Sequence, residues 1–304
     1  MLSVIIPAYN EELLVQKTAT TIHTILCREQ IEHELLFIDD GSSDATWKNL
    51  LAAGKSCPQV RGVHFSRNFG KEGAISAGID QARGDCCVII DCDLQHPPEK
   101  IVEMYRLWEQ GYEIVEGRKA SRGNESYMHG FAARTFYKLI SAATGIDMAN
   151  ASDFKLLDRK VMNALRNMRE KNAFFRALSS WVGYRSTVVE FEVQERQAGQ
   201  SKWSTMALIR YALRNISSFS TFPMQIVTVL GTIMFGVSVL LGGIALVQKF
   251  MGRALEGFTT VILIQLFSSS IVMISLGLIG YYIARIYEEV QARPRYIISE
   301  SFGE

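Results

Sequence analysis

Two aspartates stand one residue apart at the end of an apolar run, in the segment VIIDCDLQHP at residues 88–97. The run at residues 86–90 has the composition of a buried strand, and the packing of such a strand does not call for the charges of Asp91 and Asp93. Mg²⁺ and Mn²⁺ prefer carboxylate oxygens as ligands, and substrate phosphates often complete the coordination. The spacing therefore predicts a divalent-cation site, and the alternative is a pair of acids that cap a loop.

Three other apolar segments also run into polar residues or glycine. If all four are strands of one parallel sheet, their ends meet at the edge where ligands bind in such sheets. The chain has neither G-x-x-x-x-G-K-[ST] nor G-x-G-x-x-G, which excludes an ATPase phosphate loop and a dinucleotide-binding fingerprint. The residues that end the three segments are Pro7, Ala8, Tyr9, Asn10 and Glu11; Asp39, Asp40, Gly41 and Ser42; and Arg67, Asn68, Phe69, Gly70 and Lys71.

The elements expected around this edge alternate between strand and helix. Strand patterns occur in SVIIPAY, ELLFIDD, RGVHFSR, DCCVIID and EIVEGR, and helix patterns occur at residues 11–28, in KEGAISAGIDQAR and in PPEKIVEMYRLWEQG. This alternation predicts an α/β fold in which a Rossmann-like, mostly parallel sheet carries helices on both faces.

Composition narrows the class of protein. The 304 residues carry a net charge of +1, which gives no basic footprint for nucleic acid, so we expect no nucleic-acid partner. The five cysteines include no C-x-x-C pair, which fits a reducing compartment. The N-terminal MLSVIIPAYNEE has no basic region before its apolar run, so we expect a first strand and not a signal peptide.

The C-terminal third is different in character. Residues 226–247 and 258–284 contain no charged side chain. At about 1.5 Å per residue, 22 helical residues reach roughly 33 Å, enough for a hydrocarbon core of about 30 Å. We expect two transmembrane helices, and the alternative is two buried helices of a large soluble domain.

The linker at 248–257 is too short for a domain, so the spans should form a hairpin with both chain ends on one side. Arginines flank the hairpin on that side, and the positive-inside rule then favours a cytoplasmic location for the large domain of a multi-pass protein of the cell membrane. The expected organisation is a catalytic domain at 1–203, an amphipathic interfacial segment at 204–222, the two spans within 223–284 and a cytoplasmic tail at 285–304.

The interfacial segment is assigned from its periodicity. In STMALIRYALRNISSF, apolar residues recur at helical spacing while Arg210 and Arg214 lie on another face. This pattern is typical of a helix at a membrane surface, with arginines near anionic head groups. The alternative is a helix that packs on the core of the catalytic domain.

The quoted motifs also carry a family resemblance. VIIPAYNEE, FIDDGSSD, FSRNFGKEGAISAGIDQARGD, IIDCDLQHPPE and ERQAGQSKWS resemble the inverting family 2 glycosyltransferases of the GT-A fold. The chain is most similar to the polyprenyl-phosphate branch, which includes dolichyl-phosphate mannose synthases and bactoprenol glucosyltransferases. With the bactoprenol enzymes the likeness covers essentially the whole chain, including SSFSTFP and the closing RPRYII.

The resemblance implies roles for individual residues. For the donor nucleotide it implies contacts from Pro7, Tyr9, Asn10, Glu11, Asp39, Asp40, Lys71 and Asp91; for the metal, Asp91, Asp93 and Gln95; for catalysis, Asp93, Asp153 and Arg118; and for the acceptor phosphate, Arg196, Ser201 and Lys202. Asp153 could take a proton or could orient basic partners. The basic loop that holds Arg196 and Lys202 could instead be merely solvated.

The implied reaction is metal-dependent, inverting transfer of one sugar from a nucleotide sugar, UDP-glucose or a related UDP-hexose, to undecaprenyl or another polyprenyl phosphate. The implied cofactor is Mg²⁺ or Mn²⁺, and the implied assembly is a homo-oligomer. Two alternatives remain: a processive polysaccharide synthase, and a catalytically silent membrane scaffold that binds nucleotide. The first usually carries Q-x-x-R-W, whereas this chain has QERQA.

Overall fold

The computed structural model describes residues 1–119, 152–168, 175–192, 222–252 and 258–303. The described residues divide into two compact units. One holds the described part of the chain up to residue 192 together with residues 294–303, and the other holds the two long C-terminal helices. Residues 204–221 of the expected amphipathic segment lie outside the described residues, so that assignment stays a prediction.

The described strands of the first unit form one eight-stranded sheet in the order β7-β5-β6-β4-β1-β2-β3-β8. Parallel pairing joins β1 with β2 and β4, β2 with β3, and β5 with β7, while β6 and β8 run antiparallel to their neighbours. The predicted mostly parallel sheet is confirmed. The strands are β1 (Leu2–Ala8), β2 (His33–Asp39), β3 (Val60–Phe65), β4 (Cys86–Ile89), β5 (Ile114–Lys119), β6 (Lys155–Asp158), β7 (Ser186–Phe191) and β8 (Ile298–Phe302).

Helices cover both faces of this sheet, as predicted. Because side chains alternate along a strand, Leu2, Val4 and Ile6 of β1 join one buried cluster with residues of α1, α2 and α4. Ile5 points to the other face, where a Cβ at Gly78 of α3 would overlap its side chain. The helices are α1 (Val15–Arg28), α2 (Thr46–Ser56), α3 (Lys71–Gln81), α4 (Lys100–Glu109), α5 (Arg159–Asn167) and α6 (Phe175–Trp181).

The strand β8 was not predicted. Residues 285–304 were expected to form a tail, but Ile298–Phe302 pairs antiparallel with β3 at the edge of the sheet. The ring of Phe302 fills the space beside Gly54 and Gly62, where a Cβ would overlap it. Trp47 on α2 donates its indole N–H to Glu300 at 2.9 Å. The glycines on α2 and β3 therefore make room for the ring of Phe302, and this packing holds a short strand whose sequence has no strong strand pattern.

The second unit contains two long apolar helices, α7 (Phe222–Phe250) and α8 (Phe258–Val290). The predicted apolar segments 226–247 and 258–284 lie within them. At about 1.5 Å per residue the helices are roughly 43 and 50 Å long. Both are long and apolar enough to cross a membrane, and no residue of the two candidate spans is buried. This exposure argues against the alternative of two buried core helices and suggests that the protein associates with a membrane.

Candidate active site

The ends of strands β1, β2 and β4 lie side by side and bring together most of the residues predicted to bind the donor nucleotide and the metal. Ala8 at the end of β1 is paired with Asp39 at the end of β2, and Ile5 is paired with Ile89 at the end of β4. A cavity of about 330 Å³ lies beyond these ends. The predicted site residues that line it are Pro7, Tyr9, Glu11, Asp40, Lys71, Asp91 and Asp93.

Lys71 is the first residue of α3 and links two acids of this site. Its Nζ lies 2.6 Å from Oδ1 of Asp91 and 2.8 Å from Oδ2 of Asp153. Partial burial disfavours the ammonium ion, but the two carboxylates outweigh this effect and hold the pKa of Lys71 above its usual range. Lys71 therefore remains a fixed positive charge at the wall of the cavity.

Asp153 precedes β6 and is 5% exposed. Arg176 on α6 forms a bidentate ion pair with Asp153, with Nε 2.7 Å from Oδ1 and Nη2 2.8 Å from Oδ2. Burial alone would raise the pKa of Asp153. The positive charges and hydrogen bonds of Arg176 and Lys71 have the larger effect and hold this pKa well below its usual range. A carboxylate that is held in this way is a poor proton acceptor, and its geometry suits the positioning of Lys71.

Asp93 lies in a tight turn. The next residue, Leu94, has φ of 55°, a left-handed backbone conformation that is uncommon for a residue other than glycine. The turn lets the backbone N–H of Gln95 donate to Oδ1 of Asp93 at 3.1 Å. Asp91 and Asp93 thus both border the cavity with hard oxygen atoms, and this donor set fits Mg²⁺ or Mn²⁺.

Asp39 is fully buried at the end of β2. Ser42 donates its backbone N–H to Oδ1 of Asp39 at 3.1 Å, and its hydroxyl group donates to the same oxygen. His64 Nδ1 lies 2.8 Å from the other oxygen, and its ring stacks on Trp47. Asp39 therefore shapes the loop after β2, and its contact with the donor stays a prediction.

Asp40 closes a second loop at the cavity. Its carboxylate accepts the backbone N–H groups of Phe69 at 2.6 Å and Gly70 at 2.9 Å. Burial raises the pKa of Asp40. Gly70 has φ of 91°, which favours glycine, and it is the residue before α3. These bonds fix the position at which Lys71 begins its helix.

Asn10 joins the loop after β1 to the loop after β2. Its backbone N–H donates to Oγ of Ser42, and its side-chain Oδ1 accepts the backbone N–H of Ser43, each at 2.9 Å. The neighbouring Tyr9 is 48% exposed at the cavity. Asn10 therefore organises the loops, while the aromatic ring of Tyr9 stays exposed at the cavity.

Some predicted residues do not line the cavity in the described part of the chain, namely Asn10, Asp39, Gln95, Arg118 and Asp153. Asp153 still reaches the site through Lys71. Arg118 near the end of β5 has a buried Nε with no hydrogen-bond partner among the described residues. The predicted acceptor residues Arg196, Ser201 and Lys202 lie outside the described residues, so their role stays a prediction.

Sequence reasoning missed Arg176 and His64 as partners of site acids. Arg176 lies in no motif, and it meets Asp153 because α6 lies beside the start of β6, where Lys155 donates to the hydroxyl group of Ser179 at 2.9 Å. His64 stands inside the strand pattern of RGVHFSR, where a polar residue one position before the strand end was the only available signal. Both contacts join residues more than 20 positions apart in the sequence.

Comparison with known families settles the class. Residues 3–166, more than half of the chain, match Glycosyl transferase family 2. This chain is a family 2 glycosyltransferase. The glycosyltransferase also has full-length relatives. It is 40% identical over 303 residues to the uncharacterized glycosyltransferase YkcC of Bacillus subtilis, covering 99% of this chain and 94% of that protein.

Two other relatives have more specific names. The bactoprenol glucosyl transferase of Shigella phage SfII is 36% identical over 302 residues, covering 99% of this chain and 98% of that protein. The prophage bactoprenol glucosyl transferase homolog of Escherichia coli is 36% identical over 299 residues, covering 98% of each. The predicted resemblance to bactoprenol glucosyl transferases is therefore confirmed along the whole chain.

Solved structures support the predicted GT-A fold of the glycosyltransferase. Mannosyl-3-phosphoglycerate synthase from Rubrobacter xylanophilus superposes with a TM-score of 0.50 at 16% identity, covering 72% of each chain. Glucosyl-3-phosphoglycerate synthase from Mycobacterium tuberculosis gives a TM-score of 0.50 at 19% identity, covering 72% of this chain and 79% of that chain. At these identities the likeness concerns the fold alone.

Proposed function

We propose that this glycosyltransferase moves one sugar, with inversion, from a UDP-sugar to a polyprenyl phosphate in the membrane. The observation that carries the proposal is the charge cluster at the cavity, in which Lys71 bridges Asp91 and Asp153 while Asp93 stands beside them. The full-length likeness to bactoprenol glucosyl transferases supplies the acceptor class and makes glucose the favoured sugar.

The residues that would hold a divalent cation are Asp91 and Asp93, with Gln95 as the third member of the same turn. Their hard oxygen atoms suit Mg²⁺ or Mn²⁺. When bound, the ion supplies Lewis-acid neutralisation of the charge that develops on the leaving diphosphate. The crystal structure of the mycobacterial glucosyl-3-phosphoglycerate synthase contains Mn²⁺ and UDP-glucose, which supports the same kind of pairing here.

Lys71 and Arg118 are proposed as the basic residues near the donor phosphates. The ammonium group of Lys71 borders the cavity and remains charged because of its two carboxylate partners. The buried Nε of Arg118 lacks a partner in the described residues, and buried guanidinium nitrogens are seldom left without an acceptor. A phosphate oxygen would satisfy it. The exposed ring of Tyr9 is suited to lie against the nucleoside.

Asp153 is proposed as the residue that orients Lys71 and not as a general base. A polyprenyl phosphate is already an anion at neutral pH, so it needs positioning more than deprotonation. The predicted acceptor loop supplies Arg196 and Lys202 for this purpose, with Ser201 between them. Charge-assisted hydrogen bonds from these residues would place the phosphate oxygen for attack on the anomeric carbon.

The two long apolar helices are proposed to form a hairpin that keeps the glycosyltransferase at its lipid substrate, with the catalytic unit in the cytoplasm. The proposal is tested with membranes that contain the protein, undecaprenyl phosphate and a panel of labelled nucleotide sugars. We expect one labelled lipid carrying a single sugar, with UDP-glucose as donor. A labelled polymer would favour a processive synthase, and the absence of any donor-dependent product would favour a silent scaffold.

A further inference from the structure

A second cluster of metal-ligating side chains lies at the opposite edge of the sheet from the cavity. His33 is the first residue of β2, whereas Asp39 at the catalytic edge is the last. Six steps of about 3.3 Å along the strand separate them by roughly 20 Å. His23 and Cys27 stand four residues apart near the end of α1, which places both on one face of the helix beside His33.

Three ligand atoms converge there within 4.8 Å of one another. Nδ1 of His23 lies 3.0 Å from Nε2 of His33, and Sγ of Cys27 lies 3.7 Å from Nδ1 of His23. Tetrahedral zinc with Zn–N of about 2.0–2.1 Å and Zn–S of about 2.3 Å sets such separations at about 3.3 Å between nitrogens and about 3.6 Å between nitrogen and sulfur. The observed spacing of these two pairs is within a few tenths of an ångström of both values. Because Sγ of Cys27 also lies 3.6 Å from Nε2 of His23, the exposed thiol has to turn away from that nitrogen to share an ion with Nδ1.

The buried histidine is prepared to act as a ligand. Its Nδ1 lies 2.7 Å from the carbonyl oxygen of Ile31, to which it donates its proton, and this bond leaves the lone pair of Nε2 directed at His23. A carbonyl that fixes the ring in this way is the usual support behind a metal-bound histidine. Burial lowers the pKa of His33, which keeps the ring in the neutral form that a metal needs.

We propose that His23, Cys27 and His33 form a site for zinc or a similar soft divalent cation, separate from the oxygen site at Asp91 and Asp93. Thiolate and imidazole ligands select Zn²⁺ over Mg²⁺ and Mn²⁺, so the two sites take different ions. Cys27 is exposed and the cluster opens to solvent, so water can fill the fourth position. Binding releases the thiol proton of Cys27 and moves the proton of His23 from Nδ1 to Nε2.

The bound ion would join the last turns of α1 to the first residue of β2. Such a link stabilises the folded chain, because a ligand that binds only the native state adds to its free energy of unfolding. The link is remote from the cavity, so sugar transfer should not depend on it.

Cobalt is the probe, because a cobalt–thiolate bond gives a charge-transfer absorption that oxygen ligands do not give. Full-length protein in detergent, with Mg²⁺ and UDP present to occupy the catalytic site, is titrated with Co²⁺. We expect the thiolate band to saturate at one equivalent and to disappear when Zn²⁺ displaces the cobalt. Zn²⁺ should also raise the melting temperature.

The matched variants are Cys27→Ser and Cys57→Ser, which each remove one surface thiol. Cys27→Ser should abolish the band and weaken Co²⁺ binding at least about a hundredfold, since loss of a supporting residue alone costs about 10–100-fold. Cys57→Ser should behave as wild type. His23→Gln gives a second test in case Cys27→Ser does not fold. No thiolate band at saturating Co²⁺, or an equal band in Cys27→Ser, would overturn the proposal.

Discussion

The guanidinium group of Arg176 occupies both carboxylate oxygens of Asp153, at 2.7 and 2.8 Å. Asp153 in turn accepts the ammonium group of Lys71 on one of those oxygens. The acid that the sequence left open as a base or an orienting residue therefore lies between two cations. In this arrangement the negative charge of Asp153 is compensated before any substrate arrives, and Asp153 fixes the position of the Lys71 ammonium group.

The first prediction concerns this pairing. Arg176→Gln removes a bidentate ion pair, and hydrogen bonds to charged groups contribute about 1.5–3 kcal/mol. Because Arg176 would no longer hold Asp153 in place, Asp153 would orient Lys71 less firmly. We therefore expect sugar transfer to fall roughly ten- to a hundredfold while the protein stays folded. The measurement is a lipid-transfer assay with far-ultraviolet circular dichroism. The matched control is Arg185→Gln, which removes a guanidinium from the ring of Tyr112. Equal activity in the two variants would contradict the orienting role.

Metal dependence is the second prediction. EDTA should abolish transfer, and Mg²⁺ or Mn²⁺ should restore it. Asp93→Asn should lose most activity, because a neutral amide is a weaker ligand than a carboxylate and leaves diphosphate charge uncompensated. Asp85→Asn is the matched control, since Asp85 contacts the N-terminal amine. Full turnover by well-washed protein in EDTA would rule out a metal at this turn.

The third prediction separates donor from acceptor. Replacing Arg196 and Lys202 together with alanine should lower transfer at least about a hundredfold, because the acceptor contacts proposed for them are charge-assisted hydrogen bonds of about 1.5–3 kcal/mol each. UDP affinity should barely change, since the residues around the cavity are intact. Calorimetry with UDP and the transfer assay on one preparation decide the matter. Loss of UDP binding in the folded variant would assign the loop to the donor.

A pH effect on stability is the fourth prediction. Burial, together with the charge of Asp153, raises the pKa of Glu72 from 4.5 to about 7. Between these values the folded protein holds a proton that the unfolded chain has released, so stability contributed by Glu72 is complete below pH 4.5 and is lost as the pH rises through 7.

The Glu72→Gln variant tests this effect, because the amide oxygen can still accept the backbone N–H of Phe175 that Glu72 accepts at 2.9 Å. We expect the melting temperature of wild type to fall more steeply than that of the variant between pH 5 and 7.5, with Glu103→Gln, at an exposed residue, as control. Parallel curves for wild type and Glu72→Gln would show that Glu72 titrates normally.

Topology gives the fifth prediction. A reporter inserted in the linker at 248–257 should lie outside the cytoplasm, while reporters at both termini should lie inside, because the flanking arginines favour the cytoplasmic side. Cysteine labelling from each side of the membrane is the measurement. Termini on opposite sides would exclude the hairpin.

The sequence predicted those parts of the site that depend on a strand and the residues directly after it. Asp91, Asp40 and Lys71 meet because consecutive strands of a parallel sheet end at one edge, and that rule needs no knowledge of side-chain packing. Arg176 could not be found in the same way, since its contact with Asp153 depends on where α6 lies against β6. The pairing of β8 with β3 was equally hidden, because it relies on the space beside Gly54 and Gly62 that fits the ring of Phe302.

The position of β8 in the chain also affects how the protein is made. A ribosome completes β3 early but releases β8 only after both long helices have been synthesised. Until then the outer edge of β3 offers unpaired N–H and C=O groups, which is the kind of edge that recruits a wrong partner. Nascent chains of this protein would therefore benefit from a holding chaperone while α7 and α8 are being synthesised.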